Sequence, residues 1–314
     1  VLNSADNSEH SRGCVLCFNF EFESSSTSPR RTIHLSIYTS EKRDCAKFKT
    51  MKNNDIEKKL AVIDALMKLS RDTLKIPGMG VGIIVDGEVV STKGYGVLNY
   101  EEEKPVTKES LFAIGSCTKA FTTFLLGLLV DEGHLNWDDL VITHLPEFRL
   151  NDDYRTHHVI IRDLISHRTG QPRHDEVWRH ASFPRDELFK RIPHLLSNYQ
   201  LRQKWQYNNI MFAVAGIIAE RITGQSWEDL IRDRIFAPVG MTRSDCSIKD
   251  PTELSEVATP YTENEEGKVV SVPWDDISIA GPAGSIVSTI EDMVKWVQVQ
   301  LRVIGENFIR NETR

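Results

Sequence analysis

The stretch Ser116–Glu132 constrains this chain more than any other. Its centre, Phe121 to Val130, is the longest apolar run in the sequence. The run is far short of the roughly 20 apolar residues that cross a membrane. It contains Thr122 and Thr123, and it ends in Asp131-Glu132 with Gly133 behind them. This reads as a helix apolar on nearly every side and closed by a glycine, which is stable only when other elements enclose it. The remaining residues must therefore build a core around it. A chain of 314 residues, 40% of them hydrophobic, has the length and composition to do so. A formal net charge of -7 with no dense basic stripe argues against a nucleic-acid partner, and no membrane span is expected.

Other elements can be placed around that helix. Ile56, Leu60, Ile63 and Met67 recur at helical spacing. Asn54 or Asp55 can cap this helix, and Pro77-Gly78 stops it. Met79 to Val85 and Glu88 to Ser91 flank Asp86-Gly87, the signature of a tight antiparallel hairpin. Short or apolar helices are expected at Val159 to Ser166, closed by His167-Arg168-Thr169-Gly170, and at Asn208 to Thr223, Trp227 to Phe236 and Glu291 to Leu301.

Residues 1–50 differ in character. They hold the polar run Ser24 to Arg31 and two strand-like pieces, Val15 to Phe22 and Thr32 to Tyr38, with nothing in view to pair them. We expect a disordered or extraneous leader there, Met51 as the natural start, and an organised domain over 51–314. The first residues show no basic start and no apolar run of signal length. Five scattered cysteines argue against a disulfide framework. Both points favour the cytoplasm; a chain that does not open on Met leaves a processed secreted form open.

Chemistry concentrates at two places. Ser116-Cys117-Thr118-Lys119 is an S-x-x-K at the start of the apolar helix. Residues three apart share a helix face, so the Lys119 amine can stand beside the Ser116 hydroxyl. A serine needs a base to take its proton, and a lysine serves when its surroundings favour the neutral amine. The plainer reading is a capping serine and a surface lysine, but a lysine opening so apolar a helix needs a reason. Tyr207-Asn208-Asn209 is a Y-x-N at the start of a second apolar helix. A tyrosine hydroxyl can relay a proton, and an asparagine offers both donor and acceptor. Alone, this would read as a helix cap.

The order of these pieces resembles the superfamily of class C β-lactamases, penicillin-binding proteins, D-alanyl-D-alanine carboxypeptidases and related esterases. The resemblance runs from about Leu60 to Leu301. It includes Phe112 to Lys119, Gly133-His134-Leu135, Ile161 to Gly170, Tyr207-Asn208-Asn209, Phe236 to Met241 and Gly281-Pro282-Ala283-Gly284. It implies an α+β, β-lactamase/transpeptidase-like fold, with an antiparallel sheet flanked by helices and a mainly helical region. It implies amide or ester hydrolysis through an acyl-serine on Ser116, with Lys119 and Tyr207 sharing proton transfer. Asn209 would orient the substrate amide or Lys119, and the Ser116 N–H would give half of an oxyanion hole. No metal or organic cofactor is expected, and the partner is a small-molecule or peptide substrate. The resemblance leaves open a non-catalytic scaffold of the same fold and an acylated sensor.

The sequence departs from that pattern twice. Arg202-Gln203 stands where Pro-Gly often precedes the Y-x-N. Nothing after Gly284 matches the third motif, a Lys- or His-led triplet ending in Gly on a later strand. We therefore expect a chain incomplete at its C-terminus, with C-terminal strands missing. Other candidates are set aside. Cys14-Val15-Leu16-Cys17 lacks a second pair at zinc spacing. His157-His158 and His174-Asp175-Glu176 lack ligand spacing and read as exposed polar loops. Cys117 reads as a packing residue beside Ser116.

Overall fold

A computed structural model describes residues 14–17, 53–247, 256–305, 308–310 and 313. In chain order, β1 (Cys14–Cys17) is followed by α1 (Asn53–Thr73), β2 (Gly78–Val85), β3 (Glu88–Gly96) and β4 (Phe112–Ala113). Then come α2 (Thr118–Asp131), α3 (Val141–His144), α4 (Asp153–His158), α5 (Ile161–Ile165), α6 (Arg185–Arg191), α7 (Asn209–Thr223), α8 (Trp227–Ile231) and α9 (Ala237–Val239). The chain continues through β5 (Tyr261–Glu263), β6 (Val269–Ser271), α10 (Gly281–Gly284), β7 (Val287–Ser288) and α11 (Ile290–Gln300). These elements form two compact units interleaved in sequence. One takes the described residues up to Ser110 with Glu256–Val272 and Thr289–Ile304; the other takes those of Leu111–Ser255, Pro273–Ser288 and Gly305–Arg314.

The first unit is built on a three-stranded sheet in the order β1-β2-β3. Asp86 and Gly87 both take positive φ (51° and 87°), which lets two residues reverse the chain between β2 and β3 as the Asp-Gly pair predicts. Strand alternation then sorts the side chains of β2. Met79, Val81 and Ile83 gather with Leu60, Ile63 and Met67 of α1. Ile84, on the opposite face, gathers with Ile290, Val294 and Val297 of α11. A Cβ on Gly82 would lie 2.4 Å from Val294 Cγ1, so only glycine admits that helix so closely. The sheet is thus covered on both faces by helices. β1 differs from expectation. Its residues pair antiparallel with β2, Cys14 opposite Ile84 and Cys17 opposite Val81, because the strand edge away from β3 offers unpaired backbone groups. The rest of the expected leader, and Met51, lie outside the described residues.

The second unit is mainly helical. As expected, α2 is buried nearly all round, with Phe121, Leu125, Leu126 and Leu129 fully enclosed. It packs beside α7, whose residues Asn209 to Ala219 are buried without interruption. The helix expected at Trp227 to Phe236 starts as α8 and widens into a π turn over Arg232–Phe236. Trp227 is fully buried, and its Nε1 donates to Thr122 Oγ1 at 3.1 Å. No helix among the described residues is long and apolar enough to cross a membrane.

Candidate active site

Ser116 sits in a 3-10 turn, Gly115–Cys117, that leads directly into α2. The turn is tied on both sides. Ile114 N–H donates to Ile286 O at 2.9 Å, the short pair β4–β7 continues that ladder, and Ile286 N–H donates to Thr118 Oγ1 at 3.1 Å. Gly115 takes φ 49°, the left-handed conformation that lets the chain leave β4 and enter the helix. Ser116 is consequently exposed at the N-terminal end of α2, where the helix dipole favours negative charge.

One turn on, Lys119 is only 8% exposed. Its Nζ donates to Ser116 Oγ at 3.1 Å, to Asn209 Oδ1 at 2.8 Å and to Ala283 O at 2.7 Å. The three acceptors are a hydroxyl, an amide oxygen and a backbone carbonyl. The same nitrogen lies 4.7 Å from the Tyr207 ring centre and 5.3 Å from that of Phe212. Tyr207 Oη donates to Ser116 Oγ, so the serine oxygen is held by both partners. The four side chains singled out from the sequence thus meet at one place.

The supports of this group come from further along the chain. Asn208 caps α7, its Oδ1 accepting from Met211 N–H at 3.0 Å, while its Nδ2 donates to Pro172 O at 2.7 Å. This places Asn209 as the first helical residue, turned toward Lys119. A Cβ on Gly216 in the middle of α7 would lie 2.3 Å from Pro282 Cγ, so its absence lets α10 press against the helix. That approach delivers the Ala283 carbonyl to Lys119. Thr122 Oγ1 donates to the neighbouring Pro282 O at 2.7 Å and fixes the same turn.

His167 supports Tyr207. It is 8% exposed, and its ring centre lies 4.6 Å from that of Tyr207 and 5.3 Å from that of Phe212. Its Nδ1 accepts the Asn208 N–H at 3.0 Å, which places any ring proton on Nε2. Burial first, and the Lys119 charge second, push its pKa down to about 4. It is therefore a neutral, packed ring at pH 7. The departure at Arg202 also finds its reason here. Arg202 takes φ 63° and clamps the buried Asp163 carboxylate, with Nε–Oδ1 at 2.9 Å and Nη2–Oδ2 at 2.7 Å. An ion pair thus holds the loop before Tyr207.

Two expectations need correction. Cys117 is exposed, because the 3-10 turn directs it away from the core that receives Thr118 and Lys119. Asp175 is not a free loop residue: its side chain is 12% exposed and its Oδ1 accepts Asn209 Nδ2–H at 3.1 Å. Asp175, His167, Ala283 and Gly216 were not singled out as site residues from the sequence. A lone glycine inside an apolar helix is the one signal among them that sequence alone offers, since such a glycine usually marks a close packing contact.

The family model described as Beta-lactamase matches residues 61–312. Unguisins hydrolase ungD′ of Aspergillus campestris is 33% identical over 249 residues, 76% of this chain and 46% of that protein. Protein flp of Staphylococcus aureus is 27% identical over 248 residues, again 76% of this chain and 48% of that protein. Among solved structures, the octameric penicillin-binding protein homologue from Pyrococcus abyssi superposes with a TM-score of 0.71 at 26% identity, covering 81% of this chain and 58% of that one. The chain spans about half the length of the Aspergillus and Staphylococcus relatives, 46% and 48%.

Proposed function

The chain belongs to the Beta-lactamase family and has its fold, and we propose that it is a serine acyl-hydrolase that opens an amide or ester bond through an acyl-enzyme on Ser116. The observation that carries this reading is the Ser116 oxygen held at once by Lys119 Nζ, at 3.1 Å, and by the Tyr207 hydroxyl. A serine in that position has a proton acceptor on one side and a proton relay on the other.

The steps follow from the contacts. The Lys119 amine takes the Ser116 proton as Oγ bonds to the substrate carbonyl carbon, and the carbonyl π pair moves to oxygen. Negative charge grows beside the N-terminal end of α2, where the dipole and the Ser116 N–H stabilise it. The oxyanion pair re-forms the carbonyl as the bond to the leaving nitrogen or oxygen breaks; Tyr207 gives its proton to the leaving atom, and Lys119 passes the proton it took from Ser116 on to Tyr207. Water attacks the acyl-serine by the reverse relay and releases the acid. Asn209 acts on Lys119 in this scheme: its Oδ1 faces the amine and its Nδ2 faces Asp175.

The Aspergillus relative is named a hydrolase of unguisins, which favours hydrolysis over a purely structural role. The test is intact-mass and peptide mapping during incubation with activated esters, D-alanyl peptides and β-lactams, beside a Ser116→Ala control. An adduct on the Ser116 peptide that forms and decays with product release supports the reading. A stable adduct without turnover replaces hydrolysis with an acylated sensor. No adduct from any of the three classes leaves a scaffold.

A further inference from the structure

We infer that Asp175 is a positioning residue for the reaction proposed above, acting through Asn209 to aim the free electron pair of Lys119 at Ser116. The inference rests on that functional reading and adds a residue to it.

Asp175 opens a 3-10 turn, Asp175–Val177, immediately after His174, which takes φ 51° and whose Nε2 pairs with Leu196 O at 2.8 Å. The turn brings the carboxylate under the site. Its Oδ1 accepts from Asn209 Nδ2 at 3.1 Å and from Trp178 Nε1 at 3.2 Å, and its Oδ2 accepts from Arg173 Nε at 2.6 Å. The Arg173 guanidinium in turn lies 5.0 Å from the centre of the Tyr207 ring. One carboxylate is therefore joined to both proton-handling residues, to Lys119 through Asn209 and to Tyr207 through Arg173.

The effect on Lys119 follows from donor counting. An ionised carboxylate only accepts. It therefore fixes the Asn209 amide with its NH2 toward Asp175 and its oxygen toward Lys119. The reverse orientation would set the amide oxygen against the carboxylate and turn the amide NH2 toward Lys119 Nζ. A neutral lysine amine has two N–H bonds and one free pair. The ammonium donates to all three; once it has lost the proton facing Ser116, Asn209 Oδ1 at 2.8 Å and Ala283 O at 2.7 Å keep its two N–H bonds and the electron pair faces Ser116 Oγ at 3.1 Å. Without Asp175 the amide is free to rotate. Its NH2 would then occupy the free pair, and the serine proton would lose its acceptor.

A residue that only fastens its own loop through Arg173 and Trp178 would behave differently, and a double-mutant cycle on the whole chain separates the two. The readout is the second-order rate of Ser116 labelling by a fluorophosphonate probe at pH 7, with thermal melting measured in parallel. The expected result is a loss of about tenfold or more in Asp175→Ala, and less than about twofold further loss when the same change is made in Asn209→Ala. The melting temperature of Asp175→Asn should stay near wild type while its labelling slows. Equal factors in both backgrounds, or slowing that tracks melting, would overturn the inference. A wild-type chain that takes no probe would overturn the functional reading itself, a separate outcome.

Discussion

Lys93 and Lys119 both stand over tyrosine rings, as Lys204 does over Tyr199, and their company sets the first two apart. In the sheet unit, Lys93 Nζ lies 5.4 Å from the Tyr95 ring centre and pairs with the Asp64 carboxylate, which also accepts from Lys68 at 2.9 Å and from Tyr95 Oη at 3.0 Å. Lys93 first, and Lys68 next, hold that carboxyl well below the usual carboxylate range. The Lys93 side chain is half exposed, at 50%. In the helical unit, Lys119 is buried, 4.7 Å from the Tyr207 ring centre, and donates to a hydroxyl, an amide oxygen and a carbonyl. A lysine against a carboxylate is held in an ion pair. A lysine against neutral acceptors, beside a serine, can give and take a proton. The same two residue types thus make a strap in one place and a proton-transfer group in the other.

The largest effect is expected of Lys119→Met. It should slow Ser116 acylation by roughly 10²–10⁴-fold, measured as the phosphonate labelling rate. Tyr207→Phe should cost about 10²-fold in the same assay, since the lysine remains to take the serine proton. Gly216→Ala tests how the Ala283 carbonyl is delivered. Alanine ordinarily improves a helix by up to about 1 kcal/mol over glycine. Here the added Cβ meets Pro282 at 2.3 Å, so urea unfolding should show destabilisation of about 1–3 kcal/mol and labelling should slow.

A smaller effect concerns pH. The folded chain holds the His167 pKa at about 4 against an ordinary 6.5. Between those values the unfolded chain binds a proton that the folded chain refuses. Stability is therefore complete above about pH 6.5 and falls as pH drops toward 4. The loss from this group between pH 7 and pH 5 should be about 2 kcal/mol, and His167→Phe should remove it from the urea curves. Smallest of all, Lys93→Met should leave the labelling rate within about twofold, because an exposed ion pair contributes little.

Much of this was legible in the sequence, for identifiable reasons. The apolar run from Phe121, the Asp86-Gly87 hairpin and the Asn208 cap are local signals, written within a few residues of where they act. Ser116 and Lys119 were legible because one helical turn brings them together, and Tyr207 and Asn209 because they open the second apolar helix. The supports were not legible, because they act across the chain. Ala283 contributes a backbone carbonyl, which no residue type encodes. Asp175 reaches Asn209 only because His174 turns the chain left-handed. Gly216 matters only once Pro282 is known to face it. The strand-like piece at Val15 was legible but its pairing with β2 was not, because a short edge strand carries no sign of the strand it joins.

The most direct measurement is covalent labelling of this chain with a serine-reactive phosphonate, read by intact mass and peptide mapping beside Ser116→Ala and Lys93→Met. A single adduct is expected on the peptide containing Ser116, absent in Ser116→Ala and undiminished in Lys93→Met. An adduct that survives Ser116→Ala, or no adduct on the wild-type chain, would contradict the claim that the Ser116–Lys119–Tyr207 group is an activated nucleophile.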